Sequence, residues 1–150
     1  MELRETIETR VKAFQKSLQQ KRIDAAIVYK PENVFFFSNF NQIINSTPAL
    51  IVIPKEGEAT LLVDARRYAH ARHDSGLQNI QCYGSWKGVE TIAPNPYDAL
   101  FKLLGPSVKE LGICFQYSNY AFEQQISNRF NAASLTDITY DIDEQKMIKD

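Results

Sequence analysis

Hydrophobic residues first recur at helical spacing: Ile7, Val11, Phe14 and Leu18 stand at steps of four, three and four. Such steps stack side chains on one face, so the spacing predicts an N-terminal α-helix with one buried stripe. Lys21 and Arg22 follow, where positive charge suits a helix C-terminus. The pattern then changes. Ala25-Ala26-Ile27-Val28-Tyr29 is short and continuously apolar, as in a strand covered on both faces. Pro31 closes that strand, because it lacks the N–H of a central ladder, and it fits the first turn of a short helix over 31–37. Val34 and several of Phe35, Phe36 and Phe37 are expected to point inward from it.

Residues 38–48 read as a loop. A hairpin follows, with strands over 49–53 and 59–63 around the turn Pro54-Lys55-Glu56-Gly57-Glu58. Asp64 is placed to cap a helix running to about Asp74, with Gly76 just beyond it. Ile80 and Cys82 alternate with polar neighbours and predict another strand. Residues 84–95 form the longest loop. Asn95-Pro96 then starts a helix bearing Tyr97, Leu100, Phe101 and Leu104 on one face, and Gly105-Pro106 stops it. A strand over 111–115 precedes a helix opened by Ser118 or Asn119 and carrying Phe122, Ile126 and Phe130. The tail over 135–142 is read as a strand and then an irregular exit. Helices alternating with strands predict an α/β domain of about six strands, formed by residues 1–150 as one unit.

Composition narrows the partners. The 150-residue chain is 44% hydrophobic and 23% charged, the balance of an ordinary globular domain. Its formal net charge is −1, with Lys and Arg scattered, so no basic face for nucleic acid or an anionic membrane is expected. The first residues carry no apolar signal region, and no apolar run approaches the length that spans a bilayer. The only cysteines, Cys82 and Cys114, fall in strand-like segments and read as buried, reduced thiols of a cytoplasmic protein.

Little chemistry is visible. His70 and His73, beside Asp74, have the spacing of a metal pair, but no further ligand stands at a recognisable distance, and a solvated helix face explains them. Asp141, Asp143 and Glu144 lack the loop pattern of a calcium site and read as a solvated exit strand. There is no G-x-S-x-G elbow, phosphate-binding glycine loop or cysteine motif. Trp86 beside Lys87 offers a stacking surface for a ligand, or simply a cover for the sheet edge. No catalytic residue and no metal or cofactor site is therefore expected in this chain.

The string Ile23-Asp24-Ala25-Ala26-Ile27-Val28, leading into Pro31-Glu32-Asn33-Val34-Phe35-Phe36-Phe37-Ser38-Asn39-Phe40, resembles a family signature. It is similar to the N-terminal domain of the creatinase, prolidase and aminopeptidase P family, where P-E-N-[VI]-x-Y-[LF]-[ST]-G-F follows a strand. Leu62-Val63-Asp64 with Arg66, Arg67 and Tyr68 resembles the family's D-x-R-Y stretch with an extra Arg, and Met147-Ile148-Lys149 its closing R-M-I-K-S. Two departures stand out. Asn39 replaces a glycine, and Asn tolerates the left-handed conformation such a turn needs. Lys146 replaces an arginine, without its bidentate fork.

The resemblance implies a mixed sheet flanked by helices and a domain that is not itself catalytic. Catalysis would belong to a second, pita-bread domain absent from this chain, in a parent hydrolase cleaving Xaa-Pro peptides, usually with two divalent ions (Mn, Co or Zn). The N-terminal domain would dimerise and rim the partner subunit's active site. Within the loop over 41–48, the resemblance makes Asn41, Gln42, Asn45 and Thr47 the candidate rim residues, neutral groups suited to a peptide backbone. Two alternatives stand beside this reading: a protein-interaction module of an inactive relative, and the accessory domain of a creatinase-like amidinohydrolase. In creatinase this loop carries a Phe and an Arg that grip the substrate carboxylate. Aligned without gaps, those places hold Asn45 and Thr47, neither of which supplies a cation.

Overall fold

The computed structural model describes residues 2–42 and 46–147. The first helix, α1 (Leu3–Gln20), buries the expected stripe of Ile7, Val11, Phe14 and Leu18, with Gln15 beside it. Strand β1 (Ala25–Val28) is buried at every position. Helix α2 (Pro31–Ser38) follows, then β2 (Leu50–Pro54) and β3 (Thr60–Asp64) as the predicted hairpin. The helix expected after Asp64 comes in two parts: a single 3₁₀ turn, Ala65–Arg67, and then α3 (Tyr68–Asp74). Next come β4 (Ile80–Tyr83), α4 (Pro96–Leu104), β5 (Glu110–Ile113), α5 (Tyr120–Arg129) and β6 (Ser134–Asp137). The tail departs from the expected irregular exit and forms α6 (Thr139–Met147).

The six strands form one sheet in the order β4-β3-β2-β1-β5-β6. Strand β2 runs antiparallel to both β1 and β3, while the β1–β5, β5–β6 and β3–β4 pairs are parallel. Five strands therefore point one way and β2 alone opposes them. This is the mixed, helix-flanked sheet expected from the sequence.

Strand alternation divides the core into two halves. Ala26, Val28, Ile51, Ile53, Leu61 and Val63 face α1, α2, α3 and α6, while Ala25, Ile27, Leu50, Val52, Leu62 and Leu111 face α4 and α5. Gly112 has no side chain because Ile138, just before α6, lies on it: a Cβ there would come 2.7 Å from Ile138 Cγ2. Asp24 fixes the register of the centre. Its Oδ2 accepts from the N–H groups of Lys109 (2.9 Å) and Glu110 (3.0 Å), and its carbonyl accepts from Lys55 N–H (3.0 Å).

Cys82 and Cys114 are both free and buried. Four strand spacings separate β4 from β5, about 19 Å, far beyond the roughly 7 Å limit of a disulfide. Burial, with the charge of Asp64 as a lesser cause, pushes the Cys82 thiol up to about 11.

Phe14 is fully buried and meets Phe37 of α2 at a ring-centroid distance of 5.2 Å. Phe14→Ala should therefore cost about 3–5 kcal/mol. Urea unfolding of both proteins measures this, and an unchanged midpoint would refute the packing of α1 on α2.

Candidate functional site

Because β2 opposes its neighbours, its entry loop emerges at the edge where β1, β3, β4, β5 and β6 end. That edge is where α/β sheets commonly bind ligands, since loops gather there on a rigid frame. The end of the candidate rim loop at Pro48 thus stands beside the ends of β3 and β4.

The loop leaves α2 through a tight turn. Asn39 adopts φ 67° and ψ 6°, the left-handed conformation expected of the residue in the family's glycine position. Its N–H donates to Phe35 O at 2.7 Å, and its Nδ2 donates to Asp74 O at 3.2 Å. Ser38 Oγ donates to Val34 O (2.6 Å) and accepts from Phe40 N–H (3.0 Å). Phe40 is buried against the His70 ring, 4.7 Å away.

Of the four rim candidates, Asn41 is exposed, Gln42 and Thr47 are half-buried, and Asn45 lies outside the described residues. Gln42 serves the structure of the loop, because its Oε1 accepts from Ala49 N–H at 2.8 Å and closes the loop across its base. The loop's far end is held by Tyr83, whose hydroxyl donates to Pro48 O at 2.7 Å. Burial first, then the charge of Asp64, pushes the Tyr83 phenol up, so it remains a donor throughout the ordinary pH range.

Beside Tyr83 lies a pair that the sequence showed only as a helix cap. Asp64 is buried at the end of β3, in register with Tyr83. Its Oδ1 accepts from the Arg66 N–H (2.9 Å) and Nε (3.1 Å), and its Oδ2 from Nη2 (3.2 Å). Burial alone would raise the Asp64 carboxyl, but the hydrogen bonds and charge of Arg66, with Arg67 behind them, hold it below the usual carboxylate range. Gly84 turns with φ +89° directly over the same carboxylate. Beyond that turn, Trp86 is 56% exposed. The free side of β4 is covered instead by residues 92 and 93, through Ile92 N–H to Cys82 O and Gly84 N–H to Ala93 O, both 2.9 Å. Trp86 is not the edge cover.

The remaining polar candidates are spent on structure. His70 Nε2 and His73 Nδ1 each bond Asp74, to Oδ2 and Oδ1 respectively, at 2.8 Å. Asp141, expected to be solvated, is buried on α6 and pairs with Lys21. Lys146, at the place of the family's arginine, reaches Glu32 of α2 at 3.7 Å, and Lys30 shares that carboxylate. Among the described residues no group of three or more His, Cys, Asp or Glu side chains is placed to hold a metal. These residues do not fit a two-metal centre. No helix among them is long and apolar enough to cross a membrane.

Comparison with known proteins agrees with this geometry. Residues 10–148 match the creatinase/prolidase N-terminal domain family. The chain belongs to that family. Its fold resembles that of a prolidase from Pyrococcus horikoshii OT3, with TM-score 0.75 and 23% identity over 95% of this chain and 36% of that one. A proline dipeptidase from Streptococcus pneumoniae superposes with TM-score 0.77 at 15% identity, covering 93% of this chain and 98% of that one. For an aminopeptidase P (Xaa-Pro aminopeptidase) from Streptococcus thermophilus the TM-score is 0.73 at 19% identity, covering 94% and 98%. At these identities the likeness shows the fold. The creatinase/prolidase N-terminal domain spans little more than a third of the Pyrococcus prolidase. No curated protein matches the chain in sequence.

The left-handed turn gives one prediction. Asn39→Val should destabilise the domain by about 1–2 kcal/mol, because a β-branched residue resists positive φ. Asn39→Gly should fall within about 1 kcal/mol of the parent, easier backbone geometry offsetting greater freedom in the unfolded chain. Chemical unfolding of both variants checks the contrast.

The Asp64–Arg66 pair gives another. A carboxyl depressed in the folded state contributes stability that is complete above its unfolded value, about 3.9, and is lost as pH falls through the lower folded value. Stability should therefore drop on acidification below about pH 4, and less steeply in Asp64→Asn, with Asp24 and Asp137 retaining the same trend. Urea midpoints at stepped pH read the difference.

Proposed function

We propose that this creatinase/prolidase N-terminal domain is the non-catalytic part of a cytoplasmic Xaa-Pro dipeptidase or aminopeptidase. It dimerises, and its loop over 41–48 rims the partner subunit's active site. The observation that carries this reading is the family match across residues 10–148, joined to a fold shared with a prolidase of which this chain covers 36%. In the parent, a following pita-bread domain would hold two divalent ions, Mn, Co or Zn, and perform the hydrolysis. The part left to this chain is binding and orientation. Asn41, Asn45 and Thr47 would offer neutral hydrogen-bonding groups to a peptide backbone, while Gln42 and Tyr83 hold the two ends of the loop.

The test compares this chain with the longer product of its gene. The longer protein should form a dimer by sedimentation and release proline from Ala-Pro in the presence of Mn. This chain alone should do neither chemistry nor stoichiometric metal binding. Asn45→Ala in the longer protein should change KM for Ala-Pro without moving the unfolding midpoint, whereas Gln42→Ala should also lower stability, because it opens the loop. Hydrolysis by the isolated chain, or a longer product lacking a metal-binding set of two Asp, one His and two Glu, would overturn the proposal.

A further inference from the structure

The sheet ends in two edges, and they are treated differently. Residues 92 and 93 bond along β4, whereas β6 pairs with β5 alone among the described residues. Ser134 N–H donates to Lys109 O and Ile138 N–H to Ile113 O, so residues 134, 136 and 138 turn their backbone groups toward β5. Leu135 and Asp137, between them, turn theirs outward. An open strand edge is a template for further pairing, and proteins usually guard it with charge, proline or a bulge. Residues 130–136, Phe-Asn-Ala-Ala-Ser-Leu-Thr, hold no charged residue and no proline, and the register of β6 with β5 runs without a bulge. Ser134 and Asp137 are exposed and Leu135 and Thr136 half-buried, so the edge is reachable.

The two outward residues flank Thr136, so an antiparallel copy of the same strand fits them about a two-fold axis through that residue. Leu135 of each copy then lies opposite Asp137 of the other, and the two exchange both backbone bonds. Thr136 meets Thr136 across the axis, a favourable cross-strand pair. Charge selects the same arrangement. Strand alternation puts Lys109 on the face of Leu111 and Asp137 on the face of Leu135, and both leucines belong to the layer under α4 and α5. Lys109 is exposed and has no ion-pair partner among the described residues. Asp137 spends Oδ1 on Phe115 N–H and on Thr139, and its Oδ2 has no partner among them. Lys109 lies beside the start of β6 and Asp137 at its end, so the two-fold brings the lysine of each copy toward the carboxylate of the other. We propose that β6 is a self-association edge, which pairs antiparallel with β6 of a second copy and makes one continuous sheet of the two. This rests on the dimerisation proposed above and gives it a surface.

Sedimentation equilibrium of this chain reads the association. Its apparent mass should rise with concentration from 17.2 kDa toward twice that value. Over the same range, amide exchange at Leu135 and Asp137 should slow, while that at Ser134 and Thr136, already bonded to β5, stays as it is. Thr136→Lys sets two ammonium groups face to face across the axis and should abolish the concentration dependence of both readings. Where that variant fails to fold, Lys109→Glu carries the test. It should weaken association about tenfold, because two exposed ion pairs become repulsions. Lys12→Glu, on the exposed side of α1, should leave association unchanged. A mass of 17.2 kDa at every concentration, or association that survives both edge substitutions, or exchange at Leu135 and Asp137 indifferent to concentration, would overturn the proposal. If the longer protein is dimeric and Thr136→Lys leaves its mass unaltered, the edge is refuted and the dimerisation reading stands. If the longer protein is monomeric, that reading fails, while the association of this chain still decides whether β6 pairs with itself.

Discussion

The structure depends on one strand buried without interruption. Every residue of β1 is enclosed, with Ala26 and Val28 turned to one layer of helices and Ala25 and Ile27 to the other. A strand so placed cannot leave a backbone group unpaired, because each buried orphan costs about as much as a lost hydrogen bond. Both of its edges are accordingly occupied, by β2 antiparallel and by β5 parallel. Asp24 secures the two pairings together from just outside the strand. Accepting from two backbone N–H groups at the start of β5 holds its carboxyl below the usual range, with Lys55 adding to the effect. A one-residue slip of β1 would break these bonds and exchange the two cores.

Much of this was legible in the sequence, where a single periodicity dominated. Helix α1 reads directly from Ile7, Val11, Phe14 and Leu18, and the hairpin from two apolar runs around Gly57. Helix α6 was not legible, and the reason is physical. It buries Thr139 and Asp141 beside Ile142, so polar groups stand where an apolar stripe would announce a helix. What holds Asp141 is Lys21, far away in sequence. Gly112 shows the same limit from the other side: its lack of a side chain has meaning only once Ile138 is seen resting on it.

The candidate site divides along the same line. Asn39 was foreseeable because a turn position constrains φ whatever surrounds it, and the residue lies in the left-handed region. Asp64 was visible as a cap, but a cap motif carries no information about Arg66 closing a side-on fork over it, or about Tyr83 standing alongside. Gln42 likewise reads in the sequence as one more neutral group available to a substrate. Its bond to Ala49 becomes apparent only when the loop's two ends are brought together.

The reversal of β2 explains why these pieces share one edge. In a fully parallel sheet, the segment entering a strand lies at the end opposite to the segments leaving its neighbours. Here the entry to β2 at Leu50 pairs with Leu62 near the exit of β3, and β3 in turn carries Asp64 level with Tyr83. The end of the loop at Pro48 is thereby set among strand exits rather than strand entries. A single antiparallel strand inside an otherwise parallel sheet thus brings a neutral loop, a buried acid and a half-exposed guanidinium onto one rim. Each of the three is held by a different element, so residues at the rim's outer surface can change without altering the sheet that presents them.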